Sequence, residues 1–327
     1  MFKYLILSAL LVSSTVFADT SLLNVSYDVT REFYGDLNPA FIKYWKEKTG
    51  ETIVINQSHG GSSKQARAVV DGLEADVITM NRSPDIDILY QLGKLIPENW
   101  QERLPHASSP TASTSVFLVR KSNPKNIKDW DDLVKPGISV IIPNPKTSGN
   151  GKYSYLAAWG SVIKNGGDEN KAKDFVTKLF KNVPVLDSGG RGATTTFAQR
   201  NIGDALLTFE NEVFLIKKEL GEDKFEVIYP SISVLAENPI SLVDKVVDKR
   251  KTRELAQAYL DFHYSEEGQE IAVRHNLRPQ VESIADKHKT TFKQLNLFTV
   301  NEVFGSWAKA EKTHFADGGL FDQIYGK

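Results

Sequence analysis

Three short stretches stand out for the chemistry their residues allow: Ser58-His59-Gly60-Gly61-Ser62-Ser63-Lys64, Thr147-Ser148-Gly149-Asn150-Gly151 and Asp187-Ser188-Gly189-Gly190-Arg191-Gly192-Ala193-Thr194. Each follows a short apolar run and opens a segment of helical periodicity. A helix N-terminus has unpaired backbone N–H groups and about half a positive charge, so it receives an anion readily. Glycine lets the backbone approach closely, and Ser or Thr hydroxyls add donors. One such turn is usually just a capped helix. Three in one chain point to a shared site for a small anion.

Other chemistries fit less well. No G-x-x-x-x-G-K-[ST] or G-x-G-x-x-G string occurs, which disfavours a nucleotide site. His59 beside Ser58 and Ser62 raises nucleophile activation, but there is no G-x-S-x-G elbow. A lone His in a glycine-rich turn is more often structural. The six histidines show no H-E-x-x-H spacing, so no metal centre is expected. Asp85 and Asp87 follow Ser83-Pro84 and read as first-turn acids of a helix. The chain lacks cysteine, which excludes thiol catalysis and Cys-ligated metals. With 40 Lys+Arg against 41 Asp+Glu it carries no electrostatic footprint for nucleic acid. No cofactor is called for, and the chain is not expected to be an enzyme.

The elements that must position these turns alternate. Leu22–Tyr27, Thr52–Asn56 and Asp76–Met80 read as strands, with helical patterns at 36–48 and 66–73 between them. A second block has strands at Ser113–Arg120, Gly137–Pro143, Val183–Leu186, Ala205–Phe209 and Phe225–Tyr229. Its helices are expected at 152–164 and 172–179, followed by another at Arg253–Phe262 and a last one at 304–316. This order predicts an α/β fold with two mainly parallel sheets flanked by helices. A length of 327 residues suits two domains. No Pro/Gly/Ser linker separates them, so the chain is expected to cross more than once, near Thr111–Thr114 and Leu235–Ile240. That gives one lobe of 19–112 with 238–327 and another of 113–237.

Residues 1–18 have the three parts of a secretory signal peptide: Lys3, an apolar run over Leu5–Val16, and small residues ending at Ala18. The apolar run is too short for a spanning helix, which needs roughly 20 residues. Cleavage after Ala18 and a periplasmic location are the expectation.

Longer strings carry a resemblance. Ser26-Tyr27-Asp28, Gln57 through Ala66, Pro143 through Asn150, Leu156 through Gly160, Asp187 through Gly192 and His314 through Gly319 resemble the sulfate/thiosulfate-binding proteins of ABC importers, in the same order across the mature chain. The resemblance implies a two-lobed periplasmic binding protein fold (type II) with a hinge that closes over the anion. It implies a monomer that delivers sulfate or thiosulfate to membrane permease subunits. Carried over by position, Asp28, Ser62, Gly149, Asn150 and Gly190 give backbone N–H donors and Ser148 a hydroxyl. Arg191 and Ser63 support them without touching the ligand.

Two departures bear on the anion. Asn150 stands where sulfate-binding members often have Gly. Phe209 stands where they typically place a Trp whose indole N–H donates. A phenyl ring suits the large, weakly accepting sulfur of thiosulfate, and several strings are closer to thiosulfate-binding members. The alternatives are another tetrahedral oxyanion, molybdate or phosphate, or an exported hydrolase. Protonated phosphate wants an acceptor such as the Asp28 carboxylate, whereas sulfate wants donors only.

Overall fold

The structure, a computed structural model, describes residues 20–326. The expected signal segment 1–18 lies outside the described residues. Among the described residues no helix is long and apolar enough to cross a membrane.

The first sheet has the order β2-β1-β3-β9: β1 (Thr20–Tyr27), β2 (Ile53–Gly60), β3 (Val77–Thr79) and β9 (Ile240–Leu242). The first three run parallel and β9 runs against β3. Alternation along β1 and β3 sends Leu22 and Val77 to one face and Val25 and Ile78 to the other. Helix α1 (Arg31–Thr49) covers the first face because Phe33, Leu37, Phe41 and Trp45 fall on one side at four-residue spacing. Gly50 ends it in the left-handed conformation that side chains resist. Helices α2 (Ser62–Val70) and α3 (Ser83–Gln91) cover the second face through Ala66, Val69, Ile86 and Leu89.

The second sheet is built round β4 (Thr111–Arg120). It also holds β5 (Val140–Ile141), β6 (Ala205–Phe209), β7 (Phe225–Ile228), β8 (Ile232–Asn238), β10 (Arg278–Pro279) and β11 (Asn296–Phe298). All of these share one direction, and β4 runs against them. Helices α4 (Gly149–Lys164) and α5 (Glu169–Lys181) lie over the Phe117 and Val119 face. Helices α6 (Gly190–Thr194) and α7 (Glu210–Leu220) pack on the Val116 and Leu118 face. Asp168 caps α5, its carboxylate accepting from the Lys171 N–H at 2.8 Å.

The two segments expected as crossings lie side by side. Thr111 pairs with Asn238 and Thr114 with Leu235. A third connection joins them, since Arg278 and Pro279 pair with Ala112 and Thr111.

Three expectations need correction. Residues 183–186 form no ladder strand; Val140 N–H bonds the Asn182 carbonyl instead. The last helix is broken: Gly305 stops one piece at φ 81°, and shorter turns follow before α8 (Leu320–Tyr325). The tail, expected with the first lobe in 238–327, packs on the second. Phe298, Phe304, Trp307, Phe315 and Phe321 join the Trp159 and Phe180 core, and β11 extends the second sheet. Burying that aromatic run outweighs its nearness in sequence to residues of the first lobe.

Candidate functional site

The three glycine-rich turns reach one place. A cleft of about 560 Å³ lies between the two sheets' helix layers. It is lined by Asp28, by Gly60 to Lys64, by Asn81, by Lys146 to Asn150, by Ser188 to Gly192 and by Phe209. All nine residues nominated from sequence stand on its wall: Asp28, Ser62, Ser63, Ser148, Gly149, Asn150, Gly190, Arg191 and Phe209. A second cavity of about 580 Å³, beside Trp130, Phe175 and Lys178, lies on the outside of the second lobe and holds none of them.

Among the described residues the N–H groups of Ser62, Gly149, Asn150 and Gly190, at the openings of the three helices, have no hydrogen-bond acceptor. Ser62 opens α2, so its N–H has no intrahelical acceptor. Its hydroxyl turns away and donates to Asp85 at 2.5 Å, and the Ser63 hydroxyl donates to the same carboxylate at 2.8 Å. Ser148 caps α4, and its Oγ accepts the Gly151 N–H at 3.3 Å. The Ser148 O–H proton therefore remains available to donate.

The Asn150 side chain also points inward. Its Nδ2 donates to Glu212 at 2.9 Å and to Thr208 at 2.8 Å. Glu212 accepts from Thr194 at 3.2 Å and from Thr208. One buried carboxylate thus ties together α4, α6 and β6, the three elements that carry Asn150, Gly190 and Phe209. A Cβ on Gly190 would come within 3.1 Å of that carboxylate, a tight approach that glycine relieves. Burial pushes the Glu212 carboxyl above its usual range, against the Thr208 and Thr194 hydroxyls and Arg191.

Asp28 opens a short turn into α1, and its carboxylate is occupied by Arg31 at 3.2 Å and Arg191 at 3.4 Å. Arg191 also reaches Glu32 at 3.1 Å, so it bridges the cleft at a partly exposed edge. The opposite edge is closed by a buried network. Arg82 donates to Asp85 at 2.9 Å and pairs with Glu311, which accepts from Lys152 at 2.7 Å. Asp85 belongs to the first lobe, whereas Glu311 and Lys152 belong to the second. Burial works against the Arg82 charge, but Asp85 and Glu311 more than offset it. Burial and the neighbouring Arg82 lower the Lys152 pKa.

Phe209 ends β6, is almost fully buried, and packs edge-on against Tyr153 with ring centres 5.6 Å apart. His59, half-buried, shares a 2.5 Å hydrogen bond with Ser26 and lies outside the lining residues. Asp87 is held by the Trp100 indole N–H, a structural role. Sequence reasoning missed Asn81, Lys146 and Tyr27. The signal for Asn81 was its place at the carboxyl end of β3, where ligands of open α/β sheets bind.

Two sheet-and-helix lobes joined by three adjacent crossings, with a polar cleft between them, define a solute-binding protein of the hinged two-lobed class. The chain matches the family of bacterial extracellular solute-binding proteins over residues 27–278 and belongs to it. It is 58% identical to a thiosulfate-binding protein of Pseudomonas aeruginosa, covering 98% of this chain and 97% of that one. It is 56% identical to a sulfate-binding protein of Salmonella typhimurium, covering 96% of each. Among solved structures it resembles the sulfate-binding protein SubI from Mycobacterium tuberculosis, with a TM-score of 0.81 and 29% identity over 90% of this chain and 98% of that one. These relatives are named as binding proteins, and the chain belongs to a family of solute-binding proteins.

Proposed function

We propose that this protein captures sulfate or thiosulfate outside the cytoplasm and delivers it to an ABC permease. The observation that carries this reading is the convergence of three helix openings and the Asp28 turn on one cleft whose one carboxylate among the described lining residues is already paired with two arginines. A dianion without a proton needs donors and no acceptor, which favours sulfate and thiosulfate over protonated phosphate. The backbone N–H groups of Asp28, Ser62, Gly149, Asn150 and Gly190 and the Ser148 hydroxyl bind it, with Arg191 and Ser63 in support. The donors come from both lobes, so the full set forms only in the closed state, and the ligand favours closure through that difference. The moving bodies are the first lobe with 240–277 and the second lobe with the tail from 296. The signal peptide is removed after Ala18, and the mature chain works in the periplasm as a monomer.

Thiosulfate is the preferred anion, because Phe209 offers an apolar face and no hydrogen. Calorimetric titration of the mature chain with sulfate, thiosulfate and phosphate tests this. Binding of the first two with thiosulfate tighter is expected. Tight phosphate binding, or none with the other two, overturns the reading.

A further inference from the structure

Asn81 is 94% buried, lines the cleft, and makes no side-chain hydrogen bond among the described residues. Its Oδ1 is buried without a partner. The residues beside it are committed: Met80 is buried in the first-lobe core, and Arg82 is held by Asp85 and Glu311. A buried amide left idle is costly, so such a group asks for a partner. Asn81 comes from the first lobe, yet it meets the second. A Cβ on Gly149 would come within 2.6 Å of Oδ1 and 2.9 Å of Nδ2. Gly149 opens α4, one of the helix ends that faces the cleft.

We infer that the Asn81 side-chain amide is a further anion donor, contributed across the cleft from the first lobe and facing the ligand beside Gly149. The two ends of an amide exchange by a half-turn, and an anion that only accepts selects the orientation with Nδ2 toward it. Asn81 then reads closure as well as ligand, since its donor reaches the anion only when Gly149 lies against it. The absence of a side chain at Gly149 is what allows that contact. This rests on the oxyanion reading above and adds a side-chain donor to its set of backbone donors.

The test is calorimetry of wild type, Asn81→Ala and Asn81→Asp with sodium thiosulfate and sodium sulfate at pH 7, alongside ligand-free thermal melts. Asn81→Asp keeps the shape, and Asn81→Ser carries the comparison if the Ala variant melts too low. Loss of one donor to a charged acceptor is expected to weaken binding about tenfold or more. The Asp variant should bind more weakly still, because it turns a carboxylate toward the dianion. Affinities of both variants within threefold of wild type, or an Asp variant at least as tight as Ala, overturn the inference and leave Asn81 a packing partner of Gly149. Wild type that binds neither anion overturns the parent reading and this one together, and it does so before any variant is made.

Discussion

Of the residues on the cleft wall, Phe209 has no polar hydrogen to give, and that single absence sets the expected preference. Replacing it by Trp restores an indole N–H at the end of β6. Sulfate affinity is expected to rise about tenfold relative to thiosulfate, since one hydrogen bond to a charged acceptor is worth roughly 1.5–3 kcal/mol. Paired titrations of Phe209→Trp and wild type check it, and an unchanged ratio counts against the preference. Asn150 shows a different logic at the same scale. On the proposed reading it serves the anion through its backbone, while its amide holds the buried Glu212 behind it. A residue other than glycine fits there because the side chain has a partner inside the second lobe.

At the scale of elements, the cleft depends on α3 and the tail meeting over Arg82. Glu311 faces two cations, Arg82 and Lys152, and its removal leaves both buried charges short of a partner. Glu311→Gln is expected to cost on the order of 3 kcal/mol in urea unfolding. It should also weaken anion binding, because the Arg82 contact spans the lobes. A variant as stable as wild type refutes this role. The three turns were legible in the sequence, since glycine and serine between an apolar strand and a helical pattern mark an N-terminus locally. The Arg82–Glu311 pair was not, because its partners are 229 residues apart and no local pattern links them. The reversed run of β4 and the ladder-free 183–186 segment were hidden likewise. Strand direction and pairing depend on what lies alongside, which composition does not encode.

At the scale of the molecule, two buried histidines make stability depend on pH. Burial lowers His263 and His314 to a pKa of about 4. Both stay neutral in the folded state at a pH where the unfolded chain, near 6.5, takes up protons. Their contribution is therefore fully present above about pH 6.5 and is lost as pH falls toward 4. His263 is the sharper case: its Nδ1 is bonded to the Tyr259 carbonyl at 2.8 Å and its Nε2 is buried without a partner. His263→Asn keeps a donor for that carbonyl and cannot charge. Its stability is expected to fall less than wild type's between pH 7 and pH 4.5, measured by urea melts at each pH. Parallel losses would refute the assignment.

The placement of the tail also dictates when the protein can fold. The first sheet needs β9 and the second needs β11, while Phe321 and Ile324, almost the last residues, close the second core. Neither half is complete until most of the chain is available. For a chain that threads a translocation channel unfolded, such late completion postpones the compact state until transit is nearly over. It also makes the carboxyl terminus the worst place for a deletion.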